Sequence, residues 1–326
     1  MSRNWWAWVR LLGGAAILGV LAWRVGTGPF LDGIRTVDGW SLAAGAGIAV
    51  LTTACCAWRW SLIARGLGIA VPLHSAVAAY YRSQFLNTTL PGGVLGDVHR
   101  GVAHGRDVGD VGRGLRAVVW DRFAGQAVQA ALTVIVLVAV PSPVRFAMPV
   151  VVGVLAGVVL LGVLLLRISP RGSGSRWART VRAAACDIRH GVLARQAWPA
   201  IAAASTVVVA GHAATFLIAV RTAGVSASPV RMLPLALLVL LAMGVPANVG
   251  GWGPREGAAA WAFGAAGLGA GQGVATAVVY GVMVLVASLP GAVVLIAQWL
   301  RRSKQPAETP RWHAPVAASQ GGLVRG

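Results

Sequence analysis

The chain has 326 residues, of which 57% are hydrophobic and only 11% are charged, and its mean hydropathy is +0.71. Soluble domains carry about 25% charged residues, so this composition excludes a soluble globular protein and predicts an integral membrane protein. The formal net charge is +19, but the basic residues lie between apolar runs and form no basic stripe with interleaved aromatics. This pattern predicts arginine-rich cytoplasmic loops and no nucleic-acid partner.

The first two apolar runs match membrane spans in length and in their flanking residues. Span 1 extends from about Trp8 to about Gly26, and span 2 extends from Trp40 to about Leu62. At 1.5 Å per residue these runs cover roughly 27–33 Å, the thickness of a hydrocarbon core. The basic, Trp-rich start of the chain has no small-x-small cleavage pattern, so we predict an uncleaved first span rather than a signal peptide.

The third hydrophobic stretch is broken near its middle. It extends from about 74 to 98, and its central run is Asn87-Thr88-Thr89-Leu90-Pro91-Gly92-Gly93-Val94-Leu95-Gly96-Asp97-Val98-His99-Arg100. Pro91 ends any preceding helix, and Gly92-Gly93 lets the backbone turn tightly. A new helix that starts near Leu95 would place Asp97 in its first turn, where the helix dipole favours a charged carboxylate. The run predicts either a polar cluster for a lipid headgroup or an ion, or a helix cap with an Asp97–Arg100 pair at the cytoplasmic surface.

The next three spans are predicted over Ala117–Val140, Phe146–Leu166 and Trp198–Val220. The pair Asp121-Arg122 lies just inside span 3. Either Arg122 pairs with Asp97 or Glu256 across the bundle, or both residues of the pair snorkel to the interface.

A basic segment, residues 167–197, connects spans 4 and 5. Apolar residues recur in it at three- and four-residue spacing, at Trp177, Val181, Ala184, Ile188 and Val192. This pattern predicts either an amphipathic helix on the anionic inner leaflet or a plain basic loop that enforces topology.

A second broken stretch extends from about 232 to 267. It contains Val245-Pro246-Ala247-Asn248-Val249-Gly250-Gly251-Trp252-Gly253-Pro254-Arg255-Glu256-Gly257. Pro246 and the glycines break the helix, and Pro254 suits the first turn of a new one. Glu256 would be stabilised there as an anion, and Arg255 is a fork-shaped donor suited to phosphate or carboxylate. The alternative is an Arg255–Glu256 pair that only fixes the hairpin.

The distribution of basic residues predicts the topology. Span 6 is predicted over about Val274–Leu300, with Pro290-Gly291 inside it, and a disordered tail is predicted over 301–326. When the N-terminus, the 59–65 corner, the 96–116 and 167–195 loops and the tail are placed in the cytoplasm, that side holds 20 of the 28 basic residues and the opposite side holds five. The positive-inside rule therefore predicts that both termini are cytoplasmic.

The predicted fold is all-α and polytopic, with about six full transmembrane helices and two Pro/Gly-broken re-entrant segments in one domain, residues 1–300. The broken segments enter from opposite sides, so the halves 8–140 and 146–300 form an inverted repeat. If each broken segment instead contains two full spans, the chain has about ten. Irregular backbone at membrane depth is tolerated only when it is buried in protein or lines a wet cavity, so the two breaks predict a site.

We expect no metal and no cofactor. His99 and His104 with Asp97 fit no metal template, and the three cysteines form no CxxC or zinc spacing. The sequence contains no phosphate loop, GxSxG elbow or HExxH motif, so we do not expect an enzyme.

The two broken runs, together with Asp121-Arg122-Phe123-Ala124-Gly125, resemble the signatures of the lysylphosphatidylglycerol synthase transmembrane-domain family, also called flippase-like. The resemblance covers about residues 10–300 and implies a stand-alone member without the synthase domain. Asn248 and Trp252 depart from the expected smaller or aliphatic residues. The resemblance supports as motif positions Asn87, Pro91, Gly92, Gly93, Gly96, Asp97, Arg100, Asp121, Arg122, Gly250, Gly251, Gly253, Arg255, Glu256 and Gly257.

The resemblance implies a multi-pass protein of the bacterial or archaeal inner membrane. In full-length synthases this domain is associated with moving an aminoacylated phospholipid between leaflets, so the resemblance implies a flippase for a phospholipid or a polyprenyl-linked lipid. The alternatives are a membrane-embedded lipid-modifying enzyme and an anchor for a separately encoded transferase. Membrane lipids are the expected partners, with a partner transferase or a homo-oligomer as further ones.

The residues expected to bind the headgroup, its phosphate or a coupling ion are Asn87, Asp97, Arg100, Asp121, Arg122, Arg255 and Glu256. The residues expected to break the backbone are Pro91, Gly92, Gly93, Gly96, Pro246, Gly250, Gly251, Gly253 and Gly257. Arg100 and Arg255 would contact the phosphate, whereas Asp97 and Glu256 would meet a cationic headgroup or a coupling proton.

Overall fold

The computed structural model describes residues 5–90, 93–147, 176–245 and 249–303, with isolated positions between 149 and 164. Within these ranges the secondary structure is helical, apart from one isolated bridge between Val249 and Trp252. Pro91, Gly92, Pro246, most of predicted span 4 and the tail from 304 lie outside the described residues.

The helices follow the predicted order. They are α1 (Trp5–Val25), α2 (Gly28–Arg35), α3 (Gly39–Gly66), α4 (Leu73–Thr89), α5 (Leu95–Asp107), α6 (Val111–Ala139), α7 (Arg176–Asp187), α8 (Trp198–Thr222), α9 (Pro229–Ala242), α10 (Pro254–Ala265), α11 (Ala270–Ser288) and α12 (Pro290–Ser303). A carboxylate caps the N-terminus of two long helices, α3 and α6. The Asp38 side chain accepts a hydrogen bond from the backbone N–H of Ser41, and the Asp110 side chain accepts one from the backbone N–H of Arg113, both at 2.8 Å.

Four helical segments in the described ranges are long and apolar enough to cross a membrane: α3, α6, α8 and the stretch Ala270–Arg301 that contains α11 and α12. The apolar part of α1 and the helix α2 make a fifth candidate, with a bend of 97° between them. The chain is therefore an all-α, multi-pass membrane protein. Predicted spans 1, 2, 3, 5 and 6 have helical counterparts, and the total of six spans stays a prediction.

Helices α3 to α6 and helices α8 to α11 pack in the same order. In each set the first helix packs on the second, the second on the third, the third on the fourth and the fourth on the first. The contacts between the sets also correspond. The first helix of each set packs on the last helix of the other set, α3 on α11 and α8 on α6. The second helix of each set does the same, α4 on α11 and α9 on α6. This is the arrangement that two copies of one structural repeat produce.

The two sets meet along α3 and α8, which run antiparallel. Arg59 Nη1, in the last third of α3, donates to Ser205 Oγ, in the first third of α8, at 3.1 Å. On one side of this contact Gly211 lies against Thr52, and on the other Gly66 lies against Gly191, just before α8. Because corresponding helices run in opposite directions, the packing agrees with an inverted repeat.

Each broken segment forms a helical hairpin. In the first hairpin, α4 and α5, Gly96 lies against Ser83, and the Arg100 guanidinium carbon lies 3.9 Å from the centre of the Tyr80 ring, so α5 returns along α4. In the second hairpin, α9 and α10, Arg231 near the start of α9 donates to the carbonyl of Ala266 just after α10, at 3.2 Å.

The hairpin helices are short. Their lengths are 17, 13, 14 and 12 residues. At 1.5 Å per residue they measure about 18–26 Å, less than the roughly 30 Å of a hydrocarbon core. These lengths favour re-entrant hairpins over pairs of full spans, and re-entry itself stays a prediction.

The basic segment between spans 4 and 5 contains α7 and a π-helical turn, Ile188–Val192. Its end is fixed to the bundle, because the Asp187 carboxylate accepts from Arg116 Nε at 2.7 Å and from Trp120 Nε1 at 3.1 Å. Of the two alternatives predicted for this segment, the helical one is thus present over 176–192, while residues 167–175 lie outside the described ranges. Its place on a leaflet stays a prediction.

Candidate functional site

The breaks of the two hairpins lie against each other. A Cβ atom on Gly250 would lie 3.4 Å from the carbonyl oxygen of Thr88, and one on Gly251 would lie 3.8 Å from the Thr88 Cα. Gly250 and Gly251 have φ angles of +57° and +83°, which L side chains rarely adopt. Glycine at these positions therefore allows the turn and places it next to the first hairpin.

A central cavity of about 290 Å³ opens where the breaks meet. Both hairpins contribute to its lining, together with α3, α6, α8 and α11. Its polar lining residues are Thr52, Arg59, Tyr80, Gln84, Asn87, Thr88, Arg122, Gln126, Gln129, Ser205, His212, Thr215, Arg255 and Ser288. Three of these are arginines, and no carboxylate is among the lining residues in the part of the chain that the structure describes.

The carboxylate of Asp97 is saturated with hydrogen bonds from four side chains. Oδ1 accepts from Ser83 Oγ at 2.9 Å and from Arg100 Nη2 at 3.2 Å. Oδ2 accepts from Asn87 Nδ2 at 3.0 Å and from Arg122 Nη2. Asp97 lies in the first turn of α5, as predicted from the sequence, and it is buried. A carboxylate with this many donors is held in its charged form.

A second carboxylate, Asp121, lies at the centre of the first set of helices. It is completely buried, and its Oδ1 accepts from Arg59 Nε at 2.9 Å. Its Oδ2 accepts from Arg100 Nη2 at 3.2 Å and from the Tyr80 hydroxyl. Of the two alternatives for Asp121-Arg122, the one in which Asp121 snorkels to the interface is wrong, because Asp121 is completely buried and its charge is compensated by two buried arginines.

Arg122 follows Asp121 but points to the cavity. It pairs with Asp97, one of the two partners predicted from the sequence, and it lines the central cavity with 55% of its side chain exposed. Arg100, by contrast, is fully buried and stacks between the rings of Trp60 and Tyr80. Of these two arginines, therefore, only Arg122 presents its charge to the cavity.

In the second hairpin the charges form a local pair. Arg255 Nε donates to Glu256 Oε1 at 2.8 Å, and Glu256 Oε2 accepts from the backbone N–H of Gly253 at 2.6 Å. Glu256 thus caps its own helix, α10, and is completely buried. The Arg255 guanidinium lies 4.9 Å from the centre of the Trp252 ring and lines the central cavity.

The charges of the ion-pair cluster around the cavity do not balance. Asp97, Asp121 and Glu256 supply three negative charges, and their ion-pair partners are four arginines: Arg59, Arg100, Arg122 and Arg255. One positive charge is therefore in excess within this cluster. Because the carboxylates lie behind the arginines, the cavity wall itself is cationic.

The structure places most of the predicted site residues either on the wall of the central cavity or directly behind that wall. Asn87, Arg122 and Arg255 line the central cavity, together with Gly93 and Gly251. Asp97, Asp121 and Glu256 lie behind that lining, where they hold the arginines in place. Arg100 lines a different cavity. The roles predicted for these residues stay predictions.

Two glycines predicted to break the backbone lie inside helices instead. Gly96 is the second residue of α5, where a Cβ atom would lie 2.1 Å from the carbonyl oxygen of Ser83. Gly257 is the fourth residue of α10, and its Cβ position lies 3.2 Å from the side chain of Ile17. Both positions allow close helix packing rather than a turn, which corrects the prediction.

Sequence reasoning missed several polar residues of the cavity and placed Arg59 in a surface corner. That placement is wrong, because Arg59 is buried and lines the cavity. A signal was present, since Thr52, Cys56 and Arg59 recur at four- and three-residue spacing within an apolar span, and all three line the cavity. The same spacing joins Arg122, Gln126 and Gln129 on α6.

Comparison with known families agrees with this architecture. Residues 7–291 match the family described as the lysylphosphatidylglycerol synthase TM region. The chain therefore belongs to this family of integral membrane domains. No curated protein and no solved structure matches the chain.

Proposed function

We propose that this protein is a transporter that moves a phosphate-containing lipid, a phospholipid or a polyprenyl-linked lipid, between the leaflets of the cell membrane. The central cavity receives the headgroup, and Arg122 and Arg255 bind its phosphate. The observation that carries the proposal is the cationic wall of the cavity, which has three arginines and no carboxylate among its described lining residues. Arginine forms strong, often bidentate, hydrogen bonds with phosphate.

The excess positive charge supports this assignment. Uncompensated charge at membrane depth costs several kcal/mol, so it marks a functional site by default. A phosphate bound between Arg122 and Arg255 would neutralise the one excess charge of the cluster. We therefore propose that lipid binding completes the charge balance of the folded protein.

The architecture supports movement around this cavity. Each hairpin belongs to one of two sets of helices with corresponding packing, and the breaks of both hairpins meet at the cavity. Rocking of one set against the other would expose the same arginines to each leaflet in turn, which is the alternating-access scheme of repeat-built transporters. We propose that the hairpins are re-entrant and that they form this moving gate.

The state of Asp97 favours transport over lipid modification. Catalysis by a carboxylate needs a lone pair that can reach a substrate. Both Asp97 oxygens already accept hydrogen bonds from buried or half-buried donors, and the residue does not line the cavity. We propose that Asp97 positions Arg122 and that the lipid leaves the protein chemically unchanged.

The test is transport in proteoliposomes. A fluorescent phosphatidylglycerol is placed in both leaflets, and dithionite added outside quenches only the outer-leaflet label. We expect wild-type protein to bring the protected label outside, and Arg122→Gln and Arg255→Gln each to slow this at least about tenfold, since each removes a charge-assisted phosphate contact of about 1.5–3 kcal/mol.

Arg113→Gln is the matched control, because Arg113 lies on α6 like Arg122 but pairs with Asp110 at the protein surface. It should leave the rate unchanged. Equal transport rates in Arg122→Gln, Arg255→Gln and wild type would contradict the assignment of Arg122 and Arg255 as phosphate-binding residues. A change in the mass of the lipid would contradict transport and would indicate an enzymatic function instead.

A further inference from the structure

A second cavity, also of about 290 Å³, lies between α4 and α5, close to the corner where α3 ends. We call it the α4–α5 cavity. Its polar lining residues are Trp60, His74, Ser75, Arg82, Arg100, His104, Asp107 and Gln298. None of these residues lines the central cavity.

Three side chains on the wall of the α4–α5 cavity have buried donors or ring nitrogens without a partner among the described residues. Arg100 is completely buried, and its Nε and Nη1 have no acceptor, because only Nη2 reaches the carboxylates of Asp97 and Asp121. Trp60 is 1% exposed, and its Nε1 has no acceptor either. The His104 ring, which lies 5.5 Å from the Trp60 ring, has an unpartnered Nε2.

Unsatisfied donors of this kind are unusual. A buried donor without an acceptor costs about 1–3 kcal/mol, and more when the group is charged. Since Arg100 and Trp60 supply three such donor nitrogens to one small space, the space favours an occupant with several acceptor oxygens. A water molecule accepts at most two hydrogen bonds, whereas a phosphate group accepts many more.

The cavity wall carries charges of both signs, and one of its arginines, Arg100, is also paired with Asp97 and Asp121. Arg82 and Arg100 bring two positive charges and Asp107 one negative charge, and His74 and His104 complete the titratable groups. Arg82 Nη1 is held by Gln298 Oε1 at 2.6 Å, which connects α4 to α12 at the cavity wall. A tetrahedral oxyanion beside the edges of Arg100 and Trp60 would meet the Arg100 Nε and Nη1 donors, which make no hydrogen bond to Asp97 or Asp121.

From these contacts we propose that the α4–α5 cavity is a second anion site, separate from the transport cavity, that binds a phosphate group through Arg100 and Trp60. The phosphate comes either from a lipid headgroup or from the free phosphate ion. Arg100 stacks on Tyr80, which lines the central cavity, so the two sites lie back to back. The site does not depend on transport.

The first experiment uses the full chain, purified in detergent and stripped of lipid, with inorganic phosphate as the probe in isothermal titration. We expect saturable binding that Ala103→Leu weakens at least tenfold, because Ala103 lines this cavity and a leucine there would fill it. Val102→Leu is the matched control, since Val102 is the adjacent residue on α5 and does not line the cavity. Trp60→Phe keeps the ring but removes one donor, and it should weaken binding severalfold.

The second experiment distinguishes the source of the phosphate. Native mass spectrometry counts phosphatidylglycerol and phosphatidylcholine retained by wild type, Ala103→Leu and Val102→Leu. Loss of free-phosphate binding in Ala103→Leu supports an ion site, and loss of one retained phosphatidylglycerol supports a headgroup site. If neither probe distinguishes Ala103→Leu from Val102→Leu, the proposal is overturned. Arg255→Gln removes a phosphate contact of the central cavity. The loss caused by Ala103→Leu should be the same in wild type and in an Arg255→Gln background, which separates this site from the central cavity.

Discussion

The two helical hairpins place their acidic residues alike and use them differently. In both, the acid is the third residue of the second helix: Asp97 in α5 and Glu256 in α10. Asp97 accepts from side chains on three helices, α4, α5 and α6. Glu256 instead accepts from its own helix start, Gly253, and from its neighbour Arg255. Ion pairs and hydrogen bonds thus connect the acid of the first hairpin to a neighbouring helix, whereas the acid of the second hairpin is bound by residues of that hairpin.

This difference indicates which hairpin is free to move. The Asp97 network continues through Arg100 to Asp121, so displacement of the first hairpin would separate Arg100 from Asp121 and Asp97 from Arg122. The second hairpin packs on the bundle through apolar residues such as Leu235 and Phe263. Apolar packing is non-directional and tolerates sliding better than buried hydrogen bonds do. We therefore expect the second hairpin to be the mobile one.

The largest effect is expected from Asp121→Asn, because it leaves Arg59 and Arg100 buried without their shared carboxylate. Removing one partner of a buried ion pair costs about 3–5 kcal/mol. Thermal unfolding in detergent should show this loss. Asp110→Asn is the control, since its pair with Arg113 is exposed and asparagine still caps α6. Similar stabilities of the two variants would contradict the anchoring role of Asp121.

The next effect is expected from Gly96→Ala, which tests how tightly the first hairpin is closed. The new Cβ would lie 2.1 Å from the backbone of Ser83, so the helices must separate. Overpacking of this kind costs about 1–3 kcal/mol. Gly257→Ala is the comparison in the second hairpin, where the nearest atom is a side-chain carbon of Ile17 on α1 at 3.2 Å. It should destabilise the protein less, and the reverse order would break the comparison.

A smaller effect than that of Asp121→Asn is expected from Glu256→Gln. Glutamine can keep one hydrogen bond to Gly253 or Arg255, and Arg255 can turn toward the cavity that it already lines. We expect a loss of about 1.5–3 kcal/mol, the net value of a hydrogen bond to a charged group. A loss as large as that of Asp121→Asn, measured in the same unfolding assay, would show that the second hairpin is locked as firmly as the first.

The smallest stability effect is expected from Gly281→Ala. Its Cβ would lie 2.2 Å from Arg255 Nη2, and this flexible guanidinium can shift away. We expect a loss below about 1 kcal/mol, as for most changes that leave the core intact, together with slower lipid transport because Arg255 moves. Gly125→Ala presses on Arg59 in the same way, but Arg59 is held by Asp121 and Ser205. It should therefore destabilise the protein more than Gly281→Ala does.

Much of the architecture was predictable from the sequence. The helices α3, α6 and α8 correspond to apolar runs flanked by polar residues, and the restart of the helix near Leu95 follows from the Pro-Gly break before it. These features depend on local sequence, because hydrophobic length and backbone geometry act over a few residues. Charge alone allowed Arg122 two partners, Asp97 and Glu256, and the structure pairs it with Asp97.

The sequence by itself determined that the chain is a helical membrane protein with two breaks, each followed by an acid at the start of a helix. Only the tertiary structure decided which charges meet. It placed Arg59 inside the bundle, buried Arg100 behind the cavity and left Arg122 and Arg255 facing it. The reason is physical: a buried charge is stable only beside a partner, and partners on different helices are chosen by packing, which no local pattern encodes.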